Sequence, residues 1–212
     1  MCPAPRPEVW HCERMDTHQP QDRPEHSGGL LTHDTLVMQQ VTGFMSNDFD
    51  ILDEHGSAIG RITTTGGAGQ RFVLGNRSFD VCEVDGTVLV HVEDPMDFGF
   101  DTYAVQDATG APIATIRKRF SFLRRRVDIE VHAGPTFELT GNAFGFEFTM
   151  SVGGQEVVQV ARHWAGIGRG LLGHSRYVAV LNPNMPPRER LAVIGGLIAL
   201  DLMRVKDSRS SN

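Results

Sequence analysis

The sequence predicts a mainly β protein, a closed antiparallel barrel of about twelve short strands around one central hydrophobic C-terminal helix. Three observations carry that expectation. From Leu191 to Leu200 every residue is apolar or glycine, so a helix there has no polar side to give to water and must be surrounded. Upstream, one unit of strand, polar turn and strand recurs in tandem. Between these units nothing reads as a helix. Barrels of about eight strands fill with their own side chains, whereas about eleven or twelve strands leave room for a helix on the axis. A two-sheet sandwich with the helix on one face would leave a helix flank wet, against the all-round apolar run.

In chain order, residues 1–33 are rich in Pro, His, Asp, Glu and Arg, with Trp10 the only large aromatic, and read as a disordered polar leader. Its Cys2, His11, Cys12, His18 and His26 match no zinc spacing. The barrel domain is expected over 34–207, with 208–212 as a tail. Leu36 to Val41 opens it as a strand. Hairpins follow at Phe49 to Ile62 around Gly56, at Phe79 to Val92 around Asp85-Gly86, and at Tyr103 to Ile116 around Asp107 to Gly110. Val127 to Leu139 is a weaker copy around Ala133-Gly134-Pro135, and Phe146 to Val160 closes the series around Gly153-Gly154. Tyr177 to Leu181 is the closing strand. The helix spans Pro186 to Val205, with two prolines suited to a first turn and Asn184 as cap. Gly195 and Gly196 each cost about 1 kcal/mol relative to alanine in mid-helix, which predicts a close approach to the backbone there. Arg190 and Asp201 bracket an apolar run well short of the roughly 18 residues of a membrane span, so the helix is a core helix.

The chain has 212 residues, which fits one large domain or two small ones, a formal net charge of −6, and 40% hydrophobic content, enough for a substantial core. The acidic balance argues against nucleic acid as a partner. Three cysteines without metal or disulfide-framework spacing, and no apolar N-terminal run, point to a reducing, cytoplasmic setting. No nucleophile elbow, zinc-protease motif or Cys-x-x-Cys occurs. His55, His91, His132, His163 and His174 are scattered singly over turns and strands. No catalytic residue, metal or cofactor is therefore assigned. Gly168 to Gly173 matches the three-glycine dinucleotide pattern only formally, because it leads into a strand of an antiparallel series and not into a helix. Gly66 to Gly69 lacks the lysine and hydroxyl residue of a phosphate loop.

One charge feature stands out. Arg117, Lys118, Arg119, Arg124, Arg125 and Arg126 crowd a ten-residue stretch without a carboxylate, in a chain that is otherwise strongly acidic. With Val127, Ile129 and Val131 facing inward and a tight turn at Phe122-Leu123, Arg119 falls opposite Arg126 and Arg117 opposite Asp128. The second pair is neutral; the first is not. A solvated strand face with cross-strand ion pairs is one reading. The other is an anion site formed by these six residues, for lipid headgroups or another phosphate-bearing ligand. Phe120 and Phe122 at the tip suit either a bilayer surface or core packing.

Two runs carry a family resemblance. Tyr103 to Phe122, with Val-Gln-Asp-Ala-Thr-Gly-Ala-Pro-Ile-Ala-Thr-Ile-Arg-Lys-Arg, resembles the LURP-one-related proteins. Val157 to Gly166, followed by Tyr177-Val178-Ala179-Val180 and the terminal helix, is similar to the end of phospholipid scramblases and their bacterial relatives. Both groups share the Tubby C-terminal fold, and the resemblance spans about residues 34 to 207. It implies the same twelve-stranded barrel around a helix. For function it implies a non-catalytic protein that binds anionic phospholipid or phosphoinositide-type headgroups, peripheral to the inner face of the plasma membrane. Where scramblases carry acidic calcium ligands, Gly168 to Arg176 has no carboxylate, and calcium needs about six or more oxygens, several of them anionic. Calcium is not expected to act here. The alternatives are a calcium-independent scramblase-type lipid transporter and a scaffold with no small ligand.

Overall fold

In this computed structural model, which describes residues 29–39, 48–65, 77–94, 102–120, 125–162 and 176–210, twelve strands close into an antiparallel barrel. They are β1 (Thr35–Gln39), β2 (Asp48–Leu52), β3 (Ala58–Thr65), β4 (Arg77–Glu83), β5 (Val88–Asp94), β6 (Thr102–Asp107), β7 (Pro112–Phe120), β8 (Arg125–Val131), β9 (Thr136–Asn142), β10 (Glu147–Val152), β11 (Gln155–Ala161) and β12 (Arg176–Leu181). Each pairs with its neighbour in sequence, and β1 pairs with β12 from Thr35↔Val180 to Gln39↔Arg176, which closes the ring. Closure leaves none of the described strands as an open sheet edge for another chain to extend.

The sequence repeat is a repeat of one hydrogen-bond pattern in the turns. In the turn 53–57 the Asp53 N–H donates to Ser57 O, and the Gly56 N–H donates back to Asp53 O; the same two bonds recur at 83–87, 107–111 and 131–135. Gly56, Gly86 and Gly110 hold φ near +90° in these turns, a conformation that a side chain would strain. Register shifts fall between Ile51 and Leu52, Val81 and Cys82, and Val105 and Gln106, just before three of these turns. Such bulges increase local twist and help a sheet curl.

Helix α1 (Pro187–Ser210) runs through the barrel. Ala192, Val193, Ile194, Leu197, Ile198 and Ala199 are wholly buried, and the inward residues of the strands join them in one core. The helix packs closest against β5, β6, β7 and β8. The glycine pair makes that approach possible: a Cβ on Gly195 would lie 2.7 Å from the Val105 side chain, and one on Gly196 would overlap Ile129 Cδ1.

Three expected boundaries shift. Leu30–Thr32 forms a 3-10 turn on the barrel and not the end of a leader, because Leu30 is 1% exposed and its N–H donates to Glu83 Oε2 at 2.8 Å. The helix continues to Ser210, through much of the expected tail. It begins at Pro187, so Asn184 stands outside it; Asn182 shapes the entry instead, accepting the Asn184 N–H on its side chain and the Met185 N–H on its carbonyl. Residues 1–28 lie outside the described residues.

Candidate functional site at the looped end of the barrel

The two ends of the barrel differ. Tight turns and the N-terminus of α1 occupy one end. The C-terminal ends of the odd-numbered strands, the N-terminal ends of the even-numbered ones and the turn Ala143–Gly145 face the other, where α1 finishes. Function concentrates on connections held by a rigid scaffold. Both the basic hairpin and the polar last turns of the helix are at this looped end.

The β7–β8 ladder has the register that strand alternation predicts, with Arg117 opposite Asp128 and Arg119 opposite Arg126. Val127, Ile129 and Val131 are buried in the core beside it. Arg117 is exposed and reaches diagonally to Glu130, with Nη1 3.5 Å from Oε2. Lys118 departs from the outward set. It follows Ile116 into the barrel, where its side chain is 1% exposed and Nζ donates to Asp207 Oδ1 of α1 at 2.6 Å. Arg124 and the side chains of Arg119, Arg125 and Arg126 lie outside the described residues.

Inside the mouth stands a cluster that sequence reasoning missed. A 3-10 turn, Ala143–Gly145, delivers Phe146 in a left-handed conformation, φ 56° and ψ 44°. The Phe146 ring stacks on Tyr177 with centroids 4.0 Å apart. The guanidinium carbons of Arg162 and Arg204 lie 6.0 and 5.9 Å from the same ring centroid. On the same turn Phe144 receives Lys118, Nζ 5.5 Å from its centroid. Burial pushes the Tyr177 phenol well above its usual range, and the Asp201 charge nearby adds to the effect. Arg162 Nε and Arg204 Nη1 are buried and have no hydrogen-bond partner among the described residues. The signal for this cluster was present on the helix: Asp201, Arg204 and Asp207 recur every third residue, a polar stripe along one face.

The histidines do not converge. Among the described residues, His91 Nδ1 on β5 bonds Asp80 Oδ1 at 2.7 Å, while His132 Nε2, in the turn after β8, bonds the Thr115 hydroxyl at 3.1 Å. Among the described residues no group of three His, Cys, Asp or Glu is placed to hold a metal ion. His163, His174, the stretch 168–175 and Gly66 to Gly69 lie outside the described residues. No helix among the described residues is long and apolar enough to cross a membrane.

Comparison with known proteins agrees with this architecture. The sequence model of the LURP-one-related family matches residues 34–200. The X-ray structure of a protein from Arabidopsis thaliana aligns with a TM-score of 0.50 at 16% identity, covering 80% of this chain and 97% of that one. At that identity the similarity is one of fold. No curated protein matches the chain.

Proposed function

The chain belongs to the LURP-one-related family, and from that premise we propose that it is a non-catalytic barrel that binds anionic phospholipid headgroups, of the phosphoinositide type, at the membrane surface. Family and barrel together fit a lipid-binding protein of the Tubby type. The observation that carries the reading is the register of Arg119 opposite Arg126. Like charges directly opposite each other destabilise a strand pair, so a ladder that keeps them gains most from an anion between them. Arg117 supports the reading less, because Glu130 already balances it. Arg124 and Arg125, next to Arg126 in the sequence, add positive charge to the same hairpin in this proposal, while Lys118 serves the interior.

Vesicle binding tests the reading. Sedimentation with phosphatidylcholine vesicles carrying increasing phosphatidylserine or phosphatidylinositol 4,5-bisphosphate is expected to show binding that grows with anionic content and falls with salt. Arg119→Ala or Arg126→Ala should weaken it more than Arg117→Ala does, with the unfolding temperature unchanged or slightly raised. Equal binding by all three variants and the wild type would remove the hairpin from the site and leave a scaffold without a small ligand in front.

A further inference from the structure

We propose that the mouth of the barrel holds a second, buried anion site, in which Arg162 and Arg204 together bind a phosphate monoester group beside Phe146. The proposal stands independently of the Arg119–Arg126 pair on β7 and β8.

Charge is the first argument. Three cations converge on the turn that carries Phe144 and Phe146. Lys118 has its carboxylate, Asp207 of α1. Arg162 and Arg204 share one aromatic ring, and each keeps a buried N–H, at Nε of Arg162 and Nη1 of Arg204, without an acceptor among the described residues. Buried donors are almost always satisfied, and two guanidiniums at one ring repel each other, so the arrangement as it stands is costly. A phosphate monoester reverses both costs: its charge offsets the repulsion, and its three oxygens accept from both forks.

The backbone is the second argument. Phe146 is a bulky residue at φ 56°, a conformation that costs energy for any side chain with a Cβ and persists only when its surroundings enforce it. That strained residue is also 0% exposed, fixed on one side by the Tyr177 ring. It thus presents a rigid π surface to both guanidiniums, which limits their freedom before any ligand arrives. The two arginines come from opposite parts of the fold, β11's end and the late turns of α1, so occupation of the site would also fasten the helix terminus to the wall.

The test uses the full chain and two probes, glycerol 3-phosphate in solution and phosphatidylcholine vesicles containing phosphatidic acid. At constant ionic strength, glycerol 3-phosphate is expected to raise the wild-type unfolding temperature saturably, by several degrees. Arg162→Gln and Arg204→Gln should lose that shift, while Arg119→Ala and Arg126→Ala keep it. If the natural source is a lipid, phosphatidic acid vesicles bind the wild type about tenfold more tightly than either Gln variant. If the source is a soluble monoester, vesicle binding is unchanged by these variants while the thermal shift is still lost. A measurement on the wild type needs no variant: the Arg162 and Arg204 Nε–H resonances should move on titration with glycerol 3-phosphate. Unmoved resonances, or Gln variants that respond to both probes as the wild type does, overturn the proposal.

Discussion

Arg190 binds several segments together at the tight-turn end of the barrel. Its guanidinium donates to the carbonyls of His33, Asn182, Pro183 and Met185 and to the Asp34 carboxylate, and the residue is 4% exposed. It ties the strand leading into β1, the segment after β12 and the first turn of α1 to one planar group. Arg190→Met leaves those acceptors, most of them partly buried, without their donor and should cost about 2 to 3 kcal/mol, measured by urea unfolding. Arg190→Lys should recover only part of the loss, because an ammonium cannot reach a fan of acceptors as a guanidinium does. A Met variant within about 0.5 kcal/mol of wild type would refute this account. At the other end, Tyr177 makes stability depend on alkaline pH. Its folded phenol holds the proton more tightly than the unfolded one does. The contribution is therefore fully present below the unfolded tyrosine value of about 10 and is lost as pH rises toward the folded value. Denaturant midpoints between about pH 9 and 11 should fall more steeply for wild type than for Tyr177→Phe.

At the scale of elements, the glycine pair in α1 shows what the sequence discloses and what it does not. Two glycines inside an apolar helix announce a close contact, but only the fold names the partners: Val105 of β6 at Gly195, Ile129 of β8 at Gly196. A Gly196→Ala change gains about 1 kcal/mol of helix propensity. Against that, the new Cβ falls on Ile129 Cδ1 in a packed core, and overpacking costs about 1 to 3 kcal/mol. The net expectation is a loss. Ile129→Val removes the offending methyl at about 0.5 to 1.5 kcal/mol on its own. The double variant should accordingly be more stable than the sum of the single losses predicts. Strict additivity would show that α1 and β8 yield by moving apart. The hairpins tell the same story of partial disclosure. Their glycines mark each turn in the sequence, yet it takes the paired bonds at 53–57, 83–87, 107–111 and 131–135 to show that one hydrogen-bond pattern is repeated.

At the scale of the whole molecule, the barrel was legible because its information is local, in repeated turns and one helix without a polar side. The mouth was not. Arg162 and Arg204 sit on β11's end and on α1, and only ring closure brings both to Phe146. Lys118 was grouped with its basic neighbours by composition, although alternation from Ile116 sends it inward to Asp207. The closed ring also bears on how the molecule unfolds. Every strand is held by two neighbours, and the shared core is the helix, so losing any strand opens the ring and exposes α1. Against this stands the asymmetry of the helix, which leans on β5 to β8 and would form a unit with them alone if the far wall contributed little. Leu197→Ala decides between the two. Leu197 is 0% exposed, and the truncation should cost about 2 to 5 kcal/mol. If the ring is one cooperative unit, the most protected backbone amides of β2 and β11, on the far wall, lose as much protection from hydrogen exchange as those of β6 and β8. Protection lost on β5 to β8 and kept on β1, β2 and β11 would make the helix and its near wall a separate folding unit.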